Sequence, residues 1–371
     1  MIAPKDELTA LLTLCKIGGI GPAKVRMLYE KVGSAQEIFR SYRNLKNIIP
    51  GVTQHFIGML DDSGSFSDAT RELEFIRKNE IRCLTIEDKE YPARLRECED
   101  APLVLFGLGN FNLNLKHTVA IVGTRKATVY GRQLTEKFVR ELSDLCPGTL
   151  IISGLAFGID VASHRAALDN SLPTVGVLAH GLDKIYPASH RNVAKLMIGN
   201  GGLLTEFTSG TVPFKPNFVQ RNRIVAGMAD AVVVVESASK GGSLITAEIA
   251  ESYCRSVFAF PGAVGDESSA GCNELIRSNR AGLIQSASDF VKDMGWSEYK
   301  HQLPIQQELF QDLTETQQKV LDLLRHAPKG LQLNNLVVIC NTPAGDMMSL
   351  LFDLEMKGLV RSRPGCLYTA T

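Results

Sequence analysis

Short apolar runs and amphipathic segments alternate along the chain between about residues 116 and 291. The runs are Thr118–Val122, Leu150–Ile152, Thr174–Leu178, Leu203–Leu204, Ala231–Val235 and Val257–Phe260. Between them, segments such as Ile159–Leu168 and Leu244–Cys254 have the period of a helix with one apolar face. Unbroken Val/Ile/Leu strands that alternate with helices predict a parallel sheet covered on both faces. We therefore predict an α/β fold with a Rossmann-like domain, which we assign to residues 81–291.

The first 80 residues lack such runs and predict a small helical domain. In the stretch LLTLCKIGGIGPAKVRMLYEKVGSAQEIF the helical period breaks at Gly19, Ile20 and Gly21, and Pro22 stands where a new helix can begin. The break resembles the glycine turn of a helix-hairpin-helix, or SAM-like, unit, in which backbone N–H groups meet a phosphate. A plain helical hairpin with a glycine turn fits the same residues equally well.

Residues 292–312 lose the periodicity and contain Pro304 and several glutamines, which predicts a linker. Residues 313–371 then predict three helices and a strand pair that turns at Pro364 and Gly365. Helices that end in a two-stranded hairpin indicate a winged helix. Its expected recognition helix, Gly345–Met356, is poor in cations. Protein binding, or a degenerate module, is therefore as compatible with this domain as DNA binding.

Composition and charge limit the classes of protein to which the chain can belong. The chain has 371 residues, too many for one core, and its 44% hydrophobic and 22% charged content is ordinary for a soluble multidomain protein. Lys plus Arg and Asp plus Glu are 40 each, so a uniformly basic nucleic-acid binder is excluded, although a local basic strip is not.

The remaining global features concern location and metals. No 18-residue uncharged apolar run occurs, and the start, MIAPKDELTALLTLCKIGG, lacks the features of a signal peptide. The eight cysteines form no CxxC pair and have no histidine at zinc-finger spacing. We expect a cytoplasmic protein with reduced thiols, no metal site and no membrane association.

The loops that follow the predicted strands carry the candidate binding residues. Because an open parallel sheet binds ligands outside the carboxyl ends of its strands, these loops should meet at one rim. In strand order, the candidates are Gly123, Thr124, Arg125 and Lys126; Ser153 and Gly154; Lys184, Tyr186 and Arg191; Arg221, Asn222 and Arg223; and Lys240, Gly241, Gly242 and Ser243. At least seven cations meet there with glycine turns that open helices. Several anion sites along one rim suit a polymer of phosphates better than a single nucleotide.

Aromatic and acidic side chains lie in the same loops. The aromatic ones, which can stack on bases or simply anchor a loop, are Tyr186, Phe207, Phe214 and Phe218. The acids, which can serve as general acid or base or as caps and salt partners of the arginines, are Asp160, Asp183, Glu206, Glu236 and Glu248. His164 follows Asp160 by one helical turn, and we expect a local hydrogen bond between them rather than a catalytic dyad.

Nucleotide motifs are missing from the expected places. No GxGxxG follows the first strand, and the second strand ends in Ser153 rather than in an acid that would hold a ribose hydroxyl. There is also no GxxxxGK[ST] phosphate loop. We therefore predict no NAD, no ATP hydrolysis by a P-loop mechanism and no cofactor.

Between about residues 90 and 290 the chain resembles the DprA/Smf family, the DNA-processing protein of bacterial transformation. The matching strings are GTRKATVYG, SGLAFGIDVASHRAAL, GLDKIYPASHR, FVQRNRIVAGMADAVVVVES and SKGGSLITAEIA with FAFPG and GCNELI. The resemblance implies that the central domain is an extended Rossmann-like fold, and the flanking helical and winged-helix domains are similar to the family's three-part layout. The resemblance implies a dimer that binds single-stranded DNA without sequence preference. It also implies loading of RecA onto strands coated by single-strand-binding protein during competence, natural transformation and recombination, without catalysis.

The resemblance also implies roles for individual residues. Arg125 with Gly123 and Thr124 would clamp a phosphate, and Ser153 and Gly154 would line the same pocket. Residues 221–223 would contact the DNA backbone, and residues 240–243 would close the groove. Some members place a lysine after the Tyr-Pro of the third loop. Here Ala188 follows Tyr186-Pro187, which leaves Lys184 or Arg191 to replace that contact.

One further segment is assigned by the resemblance. GCNELIRSNRAGLI, Gly271–Ile284, falls where family members self-associate and meet RecA. The sequence allows either a surface strip or a final core helix there, so it does not fix the dimer interface.

Two other hypotheses remain open. GGSLITAE, Gly241–Glu248, is similar to the GGxGTxxE loop of SLOG-type phosphoribohydrolases, which would make the protein an enzyme that uses Glu248 on a nucleotide derivative. Its spacing differs by one residue, because Ile245 precedes Thr246. Alternatively, the flanking domains bind proteins while the central domain only scaffolds them. The cations of the rim argue against this, because they repel one another without an anion.

Overall fold

The chain is described by a computed structural model, which covers residues 6–17, 20–45, 53–60, 63–296, 313–327, 330–363 and 367–370. It divides into two compact units, residues 1–298 and residues 299–371. In the described ranges, no helix is both long and apolar enough to cross a membrane.

A nine-stranded sheet forms the centre of the first unit. Its strands are β1 (Arg82–Thr85), β2 (Val104–Asn110), β3 (Thr118–Val122), β4 (Leu150–Ser153), β5 (Thr174–Val177), β6 (Gly201–Thr205), β7 (Ala231–Val234), β8 (Ser256–Ala259) and β9 (Gly282–Leu283). Their order across the sheet is β1-β2-β6-β5-β4-β3-β7-β8-β9. From β6 to β9 all neighbours are parallel, whereas β1 and β2 add an antiparallel edge.

Helices accompany this sheet along the chain. They are α1 (Glu7–Lys16), α2 (Pro22–Val32), α3 (Ala35–Ser41), α4 (Gln54–Leu60), α5 (Ser63–Lys78), α6 (Ala93–Arg96), α7 (Val129–Leu145), α8 (Ile159–Asp169), α9 (Arg191–Gly199), α10 (Lys215–Gly227), α11 (Gly242–Ser252), α12 (Ala270–Arg277) and α13 (Ala287–Asp293). Two short 3₁₀ turns, Tyr42–Asn44 and Ala188–His190, complete the unit.

Both faces of the sheet are buried, which explains the unbroken apolar runs. Along β3, Val119 and Ile121 belong to one core with Phe138 of α7, while Ala120 and Val122 belong to another. Successive side chains of a strand point to opposite faces, so a strand covered on both sides needs apolar residues at every position. The predicted Rossmann-like α/β fold is confirmed, and each of the six predicted runs overlaps a strand.

The N-terminal helices share the second of these cores with the sheet. Leu12, Leu28 and Ile38 are fully buried in the cluster that also contains Val175 and Val234. The predicted boundary at residue 80 therefore separates helices from sheet along the chain, although the two pack in one compact unit. Pro22 is the first residue of α2, as its position predicted, whereas residues 18 and 19 of the glycine turn lie outside the described residues.

A polar contact adds to this packing. The buried carboxylate of Glu72 on α5 accepts hydrogen bonds from the backbone N of Ser209 at 2.9 Å and from its Oγ at 2.6 Å. Ser209 lies in the loop between β6 and α10. The helical segment thus holds a loop that leaves the carboxyl end of the sheet.

The predicted linker, residues 292–312, lies outside the described residues from position 297 onward. Before that point the chain is still packed. Residues 292 and 293 complete α13, and the Trp296 ring lies 5.2 Å from that of Phe290, between centroids.

The second unit has the elements expected of a winged helix. It contains α14 (Glu315–Arg325), α15 (Leu333–Cys340), α16 (Ala344–Met356), β10 (Leu331–Gln332), β11 (Val360–Arg363) and β12 (Leu367–Ala370). The strands form an antiparallel sheet in the order β10-β12-β11, around a small core with Leu324, Leu336 and Leu351. The turn predicted at Pro364 and Gly365 lies outside the described residues.

Candidate nucleic-acid interface

The strand order reverses at β3, and the crevice at this point is already occupied by the protein itself. From β3 the chain proceeds to β4, β5 and β6 on one side and returns to β7 on the other. Ligands of such sheets bind at this switch point, with anions at the N-terminus of the following helix. Here the buried carboxylate of Glu236 accepts hydrogen bonds from Thr128 N at 2.9 Å and Thr128 Oγ1 at 2.7 Å, at the start of α7. It stands where the phosphate of a nucleotide would bind.

Gly131 makes this arrangement possible. A Cβ at residue 131 would come within 2.5 Å of Glu236 Oε2. The main chain reinforces the contact, because Thr124 N donates to the backbone oxygen of Glu236 at 2.7 Å. The loop after β3 is therefore fastened to the end of β7.

Beside this crevice, the loops after β3, β4 and β5 and helix α10 surround a pocket, which we call the rim pocket. Its lining residues are Arg125, Gly154, Ala156, Phe157, Leu178, Ala179, His180, Tyr186, Pro187 and Phe218. The Phe157 and Tyr186 side chains are each 48% exposed. A cation and exposed aromatic faces thus meet in one place.

Arg125 is the accessible cation of the rim pocket. Its guanidinium carbon lies 4.9 Å from the centroid of the Phe218 ring, and that ring lies 6.0 Å from the ring of Tyr186. Among the described residues Arg125 forms no ion pair, and both it and Lys126 are exposed. Its charge is therefore available to an anion from solution.

Arg221 lies behind the pocket rather than on its surface. Only 4% exposed, it donates to the backbone oxygen of Val177, and a Cβ on Gly154 would collide with its guanidinium. Burial lowers the pKa of Arg221 to about 10, against the opposing charge of Asp160. Burial likewise raises the pKa of the Asp160 carboxyl, opposed by Arg221. We infer that these two charges compensate each other beneath the pocket.

Arg223 is also buried, on a different side of α10. It forms an ion pair with Glu206 and donates to the backbone oxygen of Asp100. Residues two apart on a helix point in nearly opposite directions. The structure therefore separates the two arginines and leaves Asn222, which is half-buried, between them. Direct contact with the DNA backbone requires a guanidinium at the surface. Both guanidinium groups are buried here.

The other candidates are distributed along the rim. Ser153 is buried and donates its hydroxyl to Ile121 O at 2.6 Å, so it braces the sheet, while Gly123 and Thr124 are half-buried above it. Lys184 pairs with Asp183 at 3.2 Å, and Arg191 is exposed at the start of α9.

The loop after β7 stands apart from the lining of the rim pocket. Lys240 and Gly242 are exposed, whereas Gly241 caps α11. Ser243 is buried and donates to Ser237 Oγ at 2.8 Å. This loop therefore offers one free cation to a ligand at the rim.

His164 does not bond to Asp160, so that expectation was wrong. Its Nδ1 lies 2.7 Å from Thr174 Oγ1 of β5, and burial lowers the pKa of His164 to about 3. The histidine faces the sheet rather than the neighbouring turn of its own helix.

Sequence reasoning missed two exposed aromatic residues. Phe157 follows β4 in the stretch SGLAFGID, where the predicted binding residues were Ser153 and Gly154, and its ring lies 4.9 Å from that of His190. Tyr130 is exposed in the first turn of α7. Of the aromatics that were predicted, Phe214 is exposed, whereas Phe207 is half-buried. Phe157 could have been found from its position, because it is a bulky aromatic residue between two glycines just after a buried strand.

Fold and site together define an α/β protein with an open, mostly parallel sheet, an aromatic and cationic rim, and a winged-helix unit. The family model described as DNA recombination-mediator protein A matches residues 82–295, and the model of the DprA winged helix domain matches residues 307–366. The chain belongs to the DprA/Smf family.

Individual relatives agree with this assignment. The DNA processing protein DprA of Bacillus subtilis is 39% identical over 225 residues, which cover 60% of this chain and 75% of that protein. The solved structure of DprA from Streptococcus pneumoniae superimposes with a TM-score of 0.58 at 32% identity, covering 74% of this chain and 98% of the other. DNA processing protein A of Helicobacter pylori, solved to explain its single-stranded DNA binding mode, gives a TM-score of 0.53 at 30% identity over 58% of this chain and 96% of the other.

Proposed function

We propose that this protein binds single-stranded DNA without sequence preference at the rim pocket. The observation that carries the proposal is Arg125, exposed and free of an internal ion pair, over Phe218 and beside Tyr186 and Phe157. A cation neutralises a phosphate, and an aromatic ring stacks on a base of any kind. This combination favours unpaired strands, because a duplex keeps the faces of its bases stacked inside.

The proposal extends to the DNA-processing role. The family's description as a recombination mediator and the single-stranded DNA binding of the H. pylori relative support it. We propose that a homodimer of this protein, in the cytoplasm, hands bound strands to RecA. The strands are those coated by single-strand-binding protein during DNA uptake, transformation and recombination.

We also propose that the protein is not an enzyme. The carboxylates at the carboxyl edge serve other purposes: Glu236 accepts hydrogen bonds from Thr128, the N-cap residue of α7, and Glu206 pairs with Arg223. Glu248, which a phosphoribohydrolase would need at a ribosyl bond, is exposed on α11. Its charge adds to the hydrogen bond from Arg280 to Glu251, which raises the pKa of Arg280. Incubation with nucleoside monophosphates should release no free base. Release that disappears in Glu248→Gln would support the enzyme instead.

The first test is a fluorescence anisotropy titration of a labelled single-stranded oligonucleotide and its duplex, at several salt concentrations. We expect preference for the single strand. Arg125→Ala should weaken binding about tenfold for every sequence, the effect of one charge-assisted contact of roughly 1.5 kcal/mol. The slope of log K against log salt should also shrink by about 0.7.

Arg140→Ala is the matched control. Arg140 is exposed in the second half of α7, the helix that follows the loop of Arg125 and leads away from the rim. Its removal should leave affinity nearly unchanged. Equal binding by Arg125→Ala and the parent protein, or preference for duplex, would refute the proposed site.

A further inference from the structure

A histidine lies behind the aromatic side chains of the rim pocket. His180, in the loop after β5, lines the pocket although only 1% of it is exposed. Its Nε2 lies 3.2 Å from Tyr186 N, and its Nδ1 lies 2.9 Å from Gly181 O. Because a carbonyl oxygen only accepts, Nδ1 carries the proton and the unprotonated Nε2 accepts from Tyr186 N. The imidazole thus joins the two ends of the loop formed by residues 181–186.

The backbone of His180 is itself fixed to the sheet. Thr205 Oγ1, at the end of β6, donates to His180 O at 3.0 Å, and Thr205 is fully buried. The outer part of the loop is held by a different bond, from Gly210 N to Asp183 Oδ1 at 3.1 Å. The position of the Tyr186 backbone is therefore set from the sheet through the imidazole.

The Tyr186 ring projects from this anchored backbone into the rim pocket. The side chain is 48% exposed, and its centroid lies 6.0 Å from that of Phe218. A ring that is held in place before a base arrives loses less freedom on binding. We propose that His180 is a positioning residue for DNA binding, which holds Tyr186 where its ring stacks on a base. This inference rests on the proposed function of the rim pocket.

The positioning role makes DNA binding depend on pH. A protonated imidazole carries N–H groups at both nitrogens and has no acceptor, so protonation of His180 removes the bond from Tyr186 N. Burial lowers the pKa of His180 below the usual 6.5, and the hydrogen bonds to Gly181 and Tyr186 oppose this effect. The imidazole is therefore a neutral acceptor at pH 7 and above. The stacking contribution should be complete there and should decline as the pH falls below 6.5.

The charged groups near the imidazole act in both directions. Asp183 of the same loop raises the pKa of His180, and Lys184 lowers it. The charged or titratable groups of the neighbouring elements are Arg125 in the loop after β3, Asp160 and Arg221 behind the pocket, and His190 in the 3₁₀ turn before α9. His190 is the second histidine at this site, and the experiment must separate it from His180.

The test is an anisotropy titration of the full chain with a labelled oligothymidylate, whose bases do not titrate between pH 5 and pH 7.5. His180→Gln keeps a side-chain oxygen that can accept from Tyr186 N, and it cannot be protonated. This variant should bind nearly as tightly as the parent protein at pH 7.5, and it supplies the baseline for all other titrating groups. Relative to it, the parent protein should bind about fivefold more weakly at pH 5, because part of the stacking on Tyr186 is lost.

His180→Leu removes the acceptor at every pH. At pH 7.5 it should bind about fivefold more weakly than the parent protein, for the same reason. In a Tyr186→Ala background the same substitution should cause no further loss, because no ring remains to be positioned. A histidine that only stabilised the fold would cause its loss in both backgrounds.

His190→Gln is the matched control, because it removes the other imidazole and should leave the loss at pH 5 in place. Circular dichroism at each pH should show that the proteins compared are folded. The positioning role is wrong if His180→Gln loses as much affinity at pH 5 as the parent protein, or if His190→Gln abolishes that loss. It is also wrong if His180→Leu binds like the parent protein at pH 7.5, or if its loss adds to that of Tyr186→Ala.

The failure of this inference can be distinguished from failure of the proposed function. Where Tyr186→Ala weakens binding and the His180 variants give the contrary results, the rim pocket still binds DNA and only the positioning role is refuted. A Tyr186→Ala variant that binds like the parent protein refutes the positioning role together with the stacking that it serves.

Discussion

Arg221 lies close enough to Arg125 to sense its charge, yet only Arg125 is placed to serve a ligand. The pKa of Arg221 is lowered to about 10, first by burial and then by the charge of Arg125, while Asp160 opposes both. A buried guanidinium and its internal counter-charge depend on each other, because removing either one leaves the other charge buried and uncompensated. Arg125 remains in solvent above it. We infer that Arg221 shapes the floor of the rim pocket and that Arg125 meets the phosphate.

Tyr186 allows the stacking contribution to be measured apart from charge. Tyr186→Ala should weaken single-strand binding by about 1–3 kcal/mol, the value of one base stacked on an aromatic ring. Tyr186→Phe should bind nearly as tightly as the parent protein, because the ring remains. The measurement is the same anisotropy titration, with Leu196→Ala, which truncates an exposed apolar side chain on α9, as the control. If the phenylalanine variant is as weak as the alanine variant, stacking is not what Tyr186 contributes.

His164 should make the stability of the protein depend on pH. Its folded pKa is about 3, compared with 6.5 for an unperturbed histidine. Below pH 6.5 the unfolded chain takes up a proton at this residue and the folded chain does not. The free energy of unfolding should therefore fall as the pH drops from 6.5 toward 3, by up to about 1.4 kcal/mol per pH unit.

His164→Gln removes this proton uptake and keeps a group that can bond to Thr174. Urea unfolding at pH 7, 6 and 5 should show a shallower decline for the variant than for the parent protein. Identical declines would mean that His164 is protonated in the folded state as readily as in the unfolded chain.

The loop that carries Arg125 is held from both sides by neighbouring elements. Glu236 at the end of β7 binds Thr124 through its backbone and Thr128 through its side chain. From the other side, Ile159 N at the start of α8 donates to Thr124 O at 3.3 Å. Gly158, with φ of +79°, permits this approach, since a Cβ there would collide with the same oxygen. The arginine is thus positioned before any ligand arrives, which lowers the cost of ordering on binding.

Glu236→Gln tests this arrangement. A neutral amide accepts hydrogen bonds less strongly than a carboxylate, and it has one acceptor oxygen for the two donors of Thr128. We expect a loss of roughly 1.5–3 kcal/mol in the free energy of unfolding and weaker single-strand binding. Urea unfolding and anisotropy measure the two effects.

Glu251→Gln is the control, because Glu251 forms a partly exposed ion pair with Arg280 and should contribute less than about 1 kcal/mol. A Glu236→Gln variant as stable as this control would show that the carboxylate does not hold the loop.

The sequence predicted those elements whose burial imposes a pattern on neighbouring residues. Strands buried on both faces are apolar throughout, so β3, β5 and β7 could be recognised from composition alone. The edge strand β1, Arg82–Thr85, is short and only partly buried, and it was missed together with β2. Contacts between distant residues left no local pattern either. Nothing in the sequence near Glu236 indicates that it bonds to Thr128, the N-cap residue of a helix more than a hundred residues earlier, or that Arg221 and Arg223 are buried.

The whole site lies within the first compact unit, residues 1–298. That unit includes the N-terminal helices, whose buried residues complete one face of the core beneath the sheet. The winged-helix unit has a core of its own. Removal of the N-terminal helices should therefore affect the stability of the first unit, whereas removal of the winged-helix unit should not.

A chain that ends at residue 298 should fold and bind single-stranded DNA with nearly the affinity of the full protein. A chain that begins at residue 81 should be unstable, because it exposes the partners of Leu12, Leu28 and Ile38. Thermal unfolding followed by circular dichroism, with anisotropy on whatever folds, tests both. A stable, cooperatively folded chain from residue 81 would show that the shared core is not required.

The carboxylate of Glu236 also bears on regulation. A sheet of this kind that holds a metabolite at its switch point can sense how much of that metabolite the cell contains. Here a side chain of the protein fills the position and cannot dissociate. The affinity of the rim for its ligand should therefore be the same in a starved cell as in a growing one, whatever the supply of ATP or NAD.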